Sequence, residues 1–309
     1  MDLIIPIVLF TYARPDHLRR TLASLRENNI PLLYAFSDGP KTLEVVGRVN
    51  EVREILREIN WCEVHLVERT ENLGLGKSIL TGVTDVFKRH DVIIVFEDDL
   101  ICVPGTYQYL CAALEYYKDT PNVMSVTGWT HPRATPSNII NQPYFDGRTE
   151  CLVWGTWKRA WQGMERDSLM MIEDCKQLGI DIYRYGADLV EMAKIERTRN
   201  IWAVRFSYLH ILNKSICLRP PYSLVQHIGY DPESVNVKNL DGYTWHVDLP
   251  ELCPPIPPTW PEAVENPECP GLWQRECGVR PEARPDLAHR TLGKLKRWLA
   301  KMTKDRQSL

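Results

Sequence analysis

The sequence predicts an α/β fold. A doubly wound, mostly parallel sheet is flanked by helices and followed by a proline-rich wrap and a terminal amphipathic helix. Strand-like apolar runs alternate with helix-like apolar repeats through the first 130 residues, and that βαβα order makes a parallel sheet. The run Val92-Ile93-Ile94-Val95-Phe96 is apolar throughout, as strands covered on both faces are. Polar or small residues follow four of the early segments, at the edge where open α/β sheets bind ligands.

Taken in order, residues 4–10 read as the first strand, and Asp16 as the cap of a helix carrying Leu18, Leu22 and Leu25. Residues 32–36 are a second strand. Val45, Val49, Val52, Ile55 and Leu56 mark an amphipathic helix, and residues 64–67 a third strand. A helix is expected over 78–88, then the strand 92–96, a helix over 107–117 and a strand over 123–127. Residues 129–142, rich in Pro, Thr, Ser and Asn, read as a loop. Residues 151–157 read as an aromatic strand with a helix beginning near Lys158. Helices over 168–178, 187–197 and 203–213 and a strand over 215–218 complete the body. Residues 250–286 carry Pro254-Pro255 and Pro257-Pro258, as a wrap without its own core does. In the last segment Leu292, Leu295, Trp298, Leu299 and Met302 share one helical face among many Lys and Arg. That pattern suits either an anionic membrane surface or a terminal helix packed on the body.

The net charge of −3 supplies no overall basic field for nucleic acid. No apolar run reaches membrane-spanning length. The apolar start follows Asp2 and lacks a basic leader, so a first strand is expected there rather than a signal peptide. Nine cysteines show neither CxxC nor zinc spacing. Free thiols in a reducing cytoplasm are the expectation.

The chemistry concentrates in Glu97-Asp98-Asp99, at the end of the apolar run. Adjacent carboxylates repel unless a cation holds them, and oxygen ligands suit Mg²⁺ or Mn²⁺ carrying substrate phosphates. A nucleotide laid along the same edge meets Thr11, Tyr12 and Arg14, then Asp38, then Asn72, Gly74 and Lys77. Asp38 suits a base or ribose, and Arg14 or Lys77 a phosphate. Gly74 and Gly76 allow close backbone approach at a helix start. Each feature also has a plain turn or packing role; their co-occurrence is what points to a ligand.

Phe10-Thr11-Tyr12-Ala13-Arg14-Pro15, Glu71-Asn72-Leu73-Gly74-Leu75-Gly76 and Val95-Phe96-Glu97-Asp98-Asp99-Leu100, in that order, resemble the GT-A glycosyltransferases. The resemblance is to the family-2-type sugar transferases and the N-acetylglucosaminyltransferase I group. It covers residues 4–130 and continues more faintly to about residue 231. It implies a GT-A-type sheet and transfer of a sugar from a nucleotide-sugar donor, a UDP-sugar first among them, to a hydroxyl of a glycan or lipid-linked acceptor. The acidic triplet becomes the DxD motif, with Asp99 as metal ligand, Glu97 and Asp98 on ribose or sugar, and Asp38 near the base. His227 joins the metal shell, and Trp154 and Gly155 line the donor site. Four segments follow: 1–130 for the donor, 131–249 for the acceptor, the extension 250–286 and the basic helix 287–309. The setting implied is surface glycan or polysaccharide assembly, in the cytoplasm or at the inner face of the membrane.

The chain departs from the N-acetylglucosaminyltransferase I pattern at Trp202-Ala203-Val204-Arg205, where an acid is expected. Glu150 and Asp146 are the substitute candidates for the catalytic base, and inversion or retention stays open. Two rivals remain: a nucleotide-sugar or glycan-binding protein without turnover, and a sugar-nucleotide pyrophosphorylase. The latter usually carries a Gly-rich, Arg-containing loop after its first strand, where this chain has Thr11-Tyr12-Ala13-Arg14-Pro15.

Overall fold

The computed structural model describes residues 4–229 and 247–279. The first half runs β1 (Ile7–Thr11), α1 (Pro15–Glu27), β2 (Leu32–Ser37), α2 (Val46–Arg57), β3 (Glu63–Glu68), α3 (Leu75–Val86), β4 (Val92–Glu97). Then come β5 (Leu100–Cys102), α4 (Thr106–Tyr116), β6 (Val123–Thr127), β7 (Tyr144–Asp146) and β8 (Trp154–Trp157). The rest is α5 (Ser168–Gln177), α6 (Asp188–Arg199), α7 (Ala203–Leu212), β9 (Ile216–Arg219), β10 (Val225–His227) and α8 (Cys269–Cys277).

The main sheet has the strand order β3-β2-β1-β4-β8-β6-β9-β7. Strands β3, β2, β1 and β4 are mutually parallel. Strand β8 enters antiparallel between β4 and β6, and β7 closes antiparallel on β9. The apolar runs follow from burial on both faces. Ile7, Leu9, Ile94 and Phe96 pack with α1, α2 and α4 on one side. Val8, Phe10, Ile93 and Val95 pack with α3, α5, α6 and α7 on the other.

Several expected boundaries shift for identifiable reasons. Strand β1 starts at Ile7, after an exposed Ile4. Asp16 does not cap α1. Pro15 opens that helix, where its missing N–H costs nothing, and Asp16 sits in the first turn, which favours an acid. Helix α3 begins at Leu75 rather than 78, because Gly74, at φ 71°, turns the chain into it. Lys158–Trp161 is a single 3-10 turn rather than a helix.

Four elements went unexpected. Strand β7 lies just after the predicted loop. Strand β5, directly after the acidic triplet, pairs antiparallel with β10 in a separate two-stranded ribbon. Helix α8 lies within the proline-rich extension, whose Trp260 packs against Tyr109, Tyr116 and Tyr117. The Tyr117 hydroxyl donates to the Pro261 carbonyl at 2.5 Å. The basic amphipathic segment 287–309 lies outside the described residues. No helix among the described residues is long and apolar enough to cross a membrane.

Candidate functional site

Four chain segments meet at the carboxyl edge of the parallel strands. The Asp38 N–H donates to the Thr11 carbonyl (3.0 Å) and the Arg69 N–H to the Ser37 carbonyl (3.0 Å), so the ends of β1, β2 and β3 are tied side by side. Phe10 lies in register with Glu97, the last residue of β4. The Tyr12 N–H donates to Asp98 Oδ2 at 2.8 Å, and the Thr21 hydroxyl to the Asp98 carbonyl at 2.9 Å. These bonds hold the acidic turn against the end of β1 and the middle of α1.

The carboxylates are crowded: Asp98 and Asp99 are buried and Glu97 is half-buried. Burial, reinforced by Asp99 and Asp98, pushes Glu97 up to about 8. Burial and Asp99 push Asp98 up to about 7, against the Tyr12 N–H and Arg14. Burial also works on Asp99, but a hydrogen bond and charge from His227, with Arg14 and His17, together outweigh it and hold this carboxyl below its ordinary range. Asp99 is therefore the member of the triplet that stays charged.

Chain topology explains why His227 is there. The antiparallel ribbon sets His227 opposite Leu100, one residue past Asp99. The His227 Nε2 lies 3.3 Å from Asp99 Oδ2, and Arg14 Nη1 donates to the same oxygen at 2.7 Å. The Ile228 N–H donates to the Asp99 carbonyl at 2.8 Å. Gly229 follows, and a Cβ there would stand 2.3 Å from Asp99 Oδ2 and 2.7 Å from Arg14 Nη1, so only glycine lets the chain pass over the pair. The other oxygen, Asp99 Oδ1, is buried without a hydrogen-bond partner. A buried orphan carboxylate oxygen costs about 1–3 kcal/mol or more, and a cation would satisfy it.

Among the described residues no group of three or more His, Cys, Asp or Glu side chains is arranged to hold a metal ion. Asp99 with His227 makes a two-donor set instead. Such a set fits Mn²⁺ or Mg²⁺, which bind through one or two protein groups and fill the shell with substrate phosphate and water. The Gly229 N–H donates to His227 Nδ1 at 3.3 Å, which leaves the hydrogen on Nε2. Holding a cation through Nε2 therefore requires the other tautomer.

A second knot surrounds Asp38. Its carboxylate accepts from the N–H groups of Leu73 (3.0 Å) and Gly74 (2.9 Å), and the Asn72 amide donates to the Gly39 carbonyl (2.8 Å). Asp38 and Asn72 thus lock the β2 and β3 loops together. The Tyr12 hydroxyl accepts from the Lys41 N–H at 2.9 Å and borders the same loop. Arg69 and Arg53, not singled out from sequence, complete the knot. Arg53 donates to the Arg69 carbonyl at 2.6 Å, and Arg69 stacks on Phe36 within 4.0 Å of Asp38. A basic residue directly after β3 and another within α2 were the available signal.

The first turn of α3 is not open to an anion as expected. Asn200, at φ 52°, caps it: its carbonyl accepts from the Gly76 N–H (3.1 Å) and its Oδ1 from the Lys77 N–H (3.1 Å). The Lys77 side chain is exposed.

Three expected site residues serve the core. Trp154 is 1% exposed and stacks on Trp161, with Trp202 and Phe206 beside it, so no sugar reaches its face. Gly155 lies inside β8 against Leu114 of α4. Asp146 is wholly buried, and one oxygen accepts from Arg219 Nε and the Trp273 indole, both at 2.8 Å. The other accepts from the Arg148 N–H at 2.9 Å. That leaves no face for an acceptor.

Glu150 stands differently. It is half-buried, and its Oε1 accepts from the Cys151 N–H at 2.8 Å. Burial first, then the charges of Glu150 and Glu97, push the Cys151 thiol well above its ordinary range. The loop is rigidly held. Val153 has φ 52°, an arrangement that costs a β-branched residue about 1–3 kcal/mol. Its side chain is fully buried and its carbonyl accepts from the Gly128 N–H at 2.8 Å.

Residues 7–155 match the family model of glycosyl transferase family 2. No curated protein matches the chain. Among solved structures it is similar to the mannosyltransferase PcManGT from Pyrobaculum calidifontis, in complex with GDP-Man and Mn²⁺, at 14% identity and TM-score 0.36. That similarity covers 57% of this chain and 46% of the other. TarS of S. aureus is similar at 11% identity and TM-score 0.39, over 75% of this chain and 38% of the other. A UDP-glucose pyrophosphorylase complexed with UDP-glucose is similar at 8% identity and TM-score 0.37, over 72% and 91%. The matched part thus spans less than half the length of PcManGT and of TarS.

Proposed function

We infer, from the match to glycosyl transferase family 2 over residues 7–155, that this chain is a GT-A glycosyltransferase moving a sugar from a nucleotide-sugar donor to a hydroxyl acceptor with the help of a divalent cation. The observation that carries the inference is the buried, unpartnered Asp99 Oδ1 beside His227 and Arg14, at the carboxyl end of β4. When bound, Mn²⁺ or Mg²⁺ supplies charge to the departing diphosphate, more strongly in the transition state than before it.

The chain's own groups do the rest. Asp99 would hold the cation through Oδ1, joined by His227 once its proton has left Nε2. Arg14 pairs with a diphosphate oxygen. The Asp38–Asn72–Arg69 knot fixes the floor on which the base and ribose lie. Glu97 and Asp98 line the ribose and sugar side, and a proton held on either at neutral pH makes it a hydrogen-bond donor to a hydroxyl. Glu150, not Asp146, is the group we assign to accept the acceptor's proton, since it alone of the two has an unspent carboxylate face. A UDP-sugar donor, a glycan or lipid-linked acceptor, and a setting in surface glycan assembly rest on the family resemblance. Contact of residues 287–309 with an anionic membrane rests on sequence pattern.

The test is a thermal-shift and product-release screen with UDP-, GDP-, dTDP- and CMP-sugars, with and without Mn²⁺. One donor is expected to raise the melting temperature by mass action only when the metal is present, and to release its nucleoside diphosphate. Stabilisation without release across an acceptor panel means a binding protein instead. Glu150→Gln is expected to lower kcat by about 10²–10⁴-fold and leave donor KM unchanged. An unchanged kcat removes Glu150 from the role of base.

A further inference from the structure

We propose, building on the donor-binding role of the same site, that Arg14 is a resident counter-ion that couples the cation to the diphosphate. With Arg14 in place the acidic turn binds Mn²⁺ weakly on its own and well only together with a nucleoside diphosphate. Arg14 Nη1 sits 2.7 Å from Asp99 Oδ2, and the Arg14 side chain is only 15% exposed. The remaining oxygen, Oδ1, is the one that lacks a partner. A dication taken up at Oδ1 would share one carboxylate with a guanidinium, and like charges gathered on one group in a shielded site repel strongly.

Arg14 has little room to retreat. Pro15 fixes the backbone immediately after it, and the chain at Gly229 lies directly over the pair. A diphosphate resolves the conflict, because one anionic group can accept from the guanidinium and bind the cation at once. Cation and nucleotide then help each other bind, by the same factor in each direction. The consequence is that free metal does not occupy the turn between turnovers. The acidic turn, which would otherwise attract any divalent ion, is kept neutralised by the chain itself.

The experiment is titration of Mn²⁺ into the full chain, followed by the electron paramagnetic resonance of the free ion, with and without UDP or GDP. In the wild-type chain the diphosphate is expected to tighten Mn²⁺ binding by about 10-fold or more, within the usual range of such couplings. In Arg14→Gln the metal alone is expected to bind about 10-fold tighter than in the wild type, and the nucleotide to add little. Arg14→Lys keeps a cation there and is expected to stay close to the wild type. Equal Mn²⁺ affinity in the wild type and Arg14→Gln, with the same nucleotide increment, overturns the proposal. So does the absence of any increment in the wild type, a result that needs no variant to fold. A chain that binds neither Mn²⁺ nor a nucleoside diphosphate overturns the donor-site assignment as well.

Discussion

Replacing Asp99 by Asn is expected to lower sugar transfer by about 10³-fold, or about 4 kcal/mol of transition-state stabilisation, while the fold survives. The loss follows from charge. Asp99 is the one carboxylate of the triplet held below its ordinary range, by His227, Arg14 and His17 against the pull of burial. Glu97 and Asp98 are pushed up towards neutrality by burial and by Asp99 itself. The amide keeps the shape but removes the anion that faces the cation. Stability is expected to fall by less than activity, because the amide keeps the shape of the turn while Arg14 and His227 lose their anionic partner. Steady-state transfer, measured across a Mn²⁺ series beside thermal melts, checks both halves. Activity retained within about tenfold, on the scale of one free-energy decade, removes Asp99 from the metal shell.

The second large effect concerns stability. Asp146→Ala is expected to cost about 3–5 kcal/mol, because it leaves Arg219 buried without its counter-charge. Both side chains of the pair are fully inaccessible, and the same carboxylate also takes the Trp273 indole and the Arg148 N–H. Arg148 lies over the Trp273 ring at 4.5 Å and pairs with Asp188 at 2.7 Å, so one carboxylate anchors β7, β9, α6 and α8. At about 2–4 °C per kcal/mol for a chain of this order of size, the melting point should fall by roughly 6–20 °C. The double variant Asp146→Ala/Arg219→Leu should recover part of the loss, since it removes the stranded charge as well. A variant that melts like the wild type but no longer transfers sugar would make Asp146 a catalytic group after all.

Much of the fold was legible because the signal was local. Strands buried on both faces write themselves as unbroken apolar runs, and β1, β2 and β4 did so. The helices between them showed leucines and valines at helical spacing, as in Leu18, Leu22 and Leu25 of α1. The acidic turn was legible for the same reason: three charges directly after an apolar run are visible without knowing what packs around them. Its closeness to Tyr12 and Arg14 followed from the parallel order alone.

What the sequence hid was long-range pairing. Strands β5 and β10 are three residues each and lie far apart in the chain, so nothing local marks them as partners, yet their ribbon is what carries His227 to Asp99. Asp146 and Trp154 read as site residues because acids and aromatics beside a Trp-Gly segment suit a sugar. Their burial is decided by Arg219, Trp273, Trp161 and Trp202, from distant segments. Asn200 was invisible for a related reason: it caps α3 through a left-handed turn between α6 and α7. Glu150 sits at the edge of that limit. Its sequence position drew notice, but only the antiparallel entry of β8 beside β4 brings its loop towards the end of β4.

The central claim is that the turn at residues 97–99 seats a divalent cation that grips the donor's diphosphate. Its most direct test is a crystal structure of the chain grown with Mn²⁺ and the nucleoside diphosphate that stabilises it, with the metal located by its anomalous scattering. The expected result is one Mn²⁺ within bonding distance of an Asp99 carboxylate oxygen and of the diphosphate, with Arg14 on a phosphate oxygen. A nucleotide bound along the β1–β4 edge with no metal at Asp99, or a metal bound elsewhere in the chain, would contradict it.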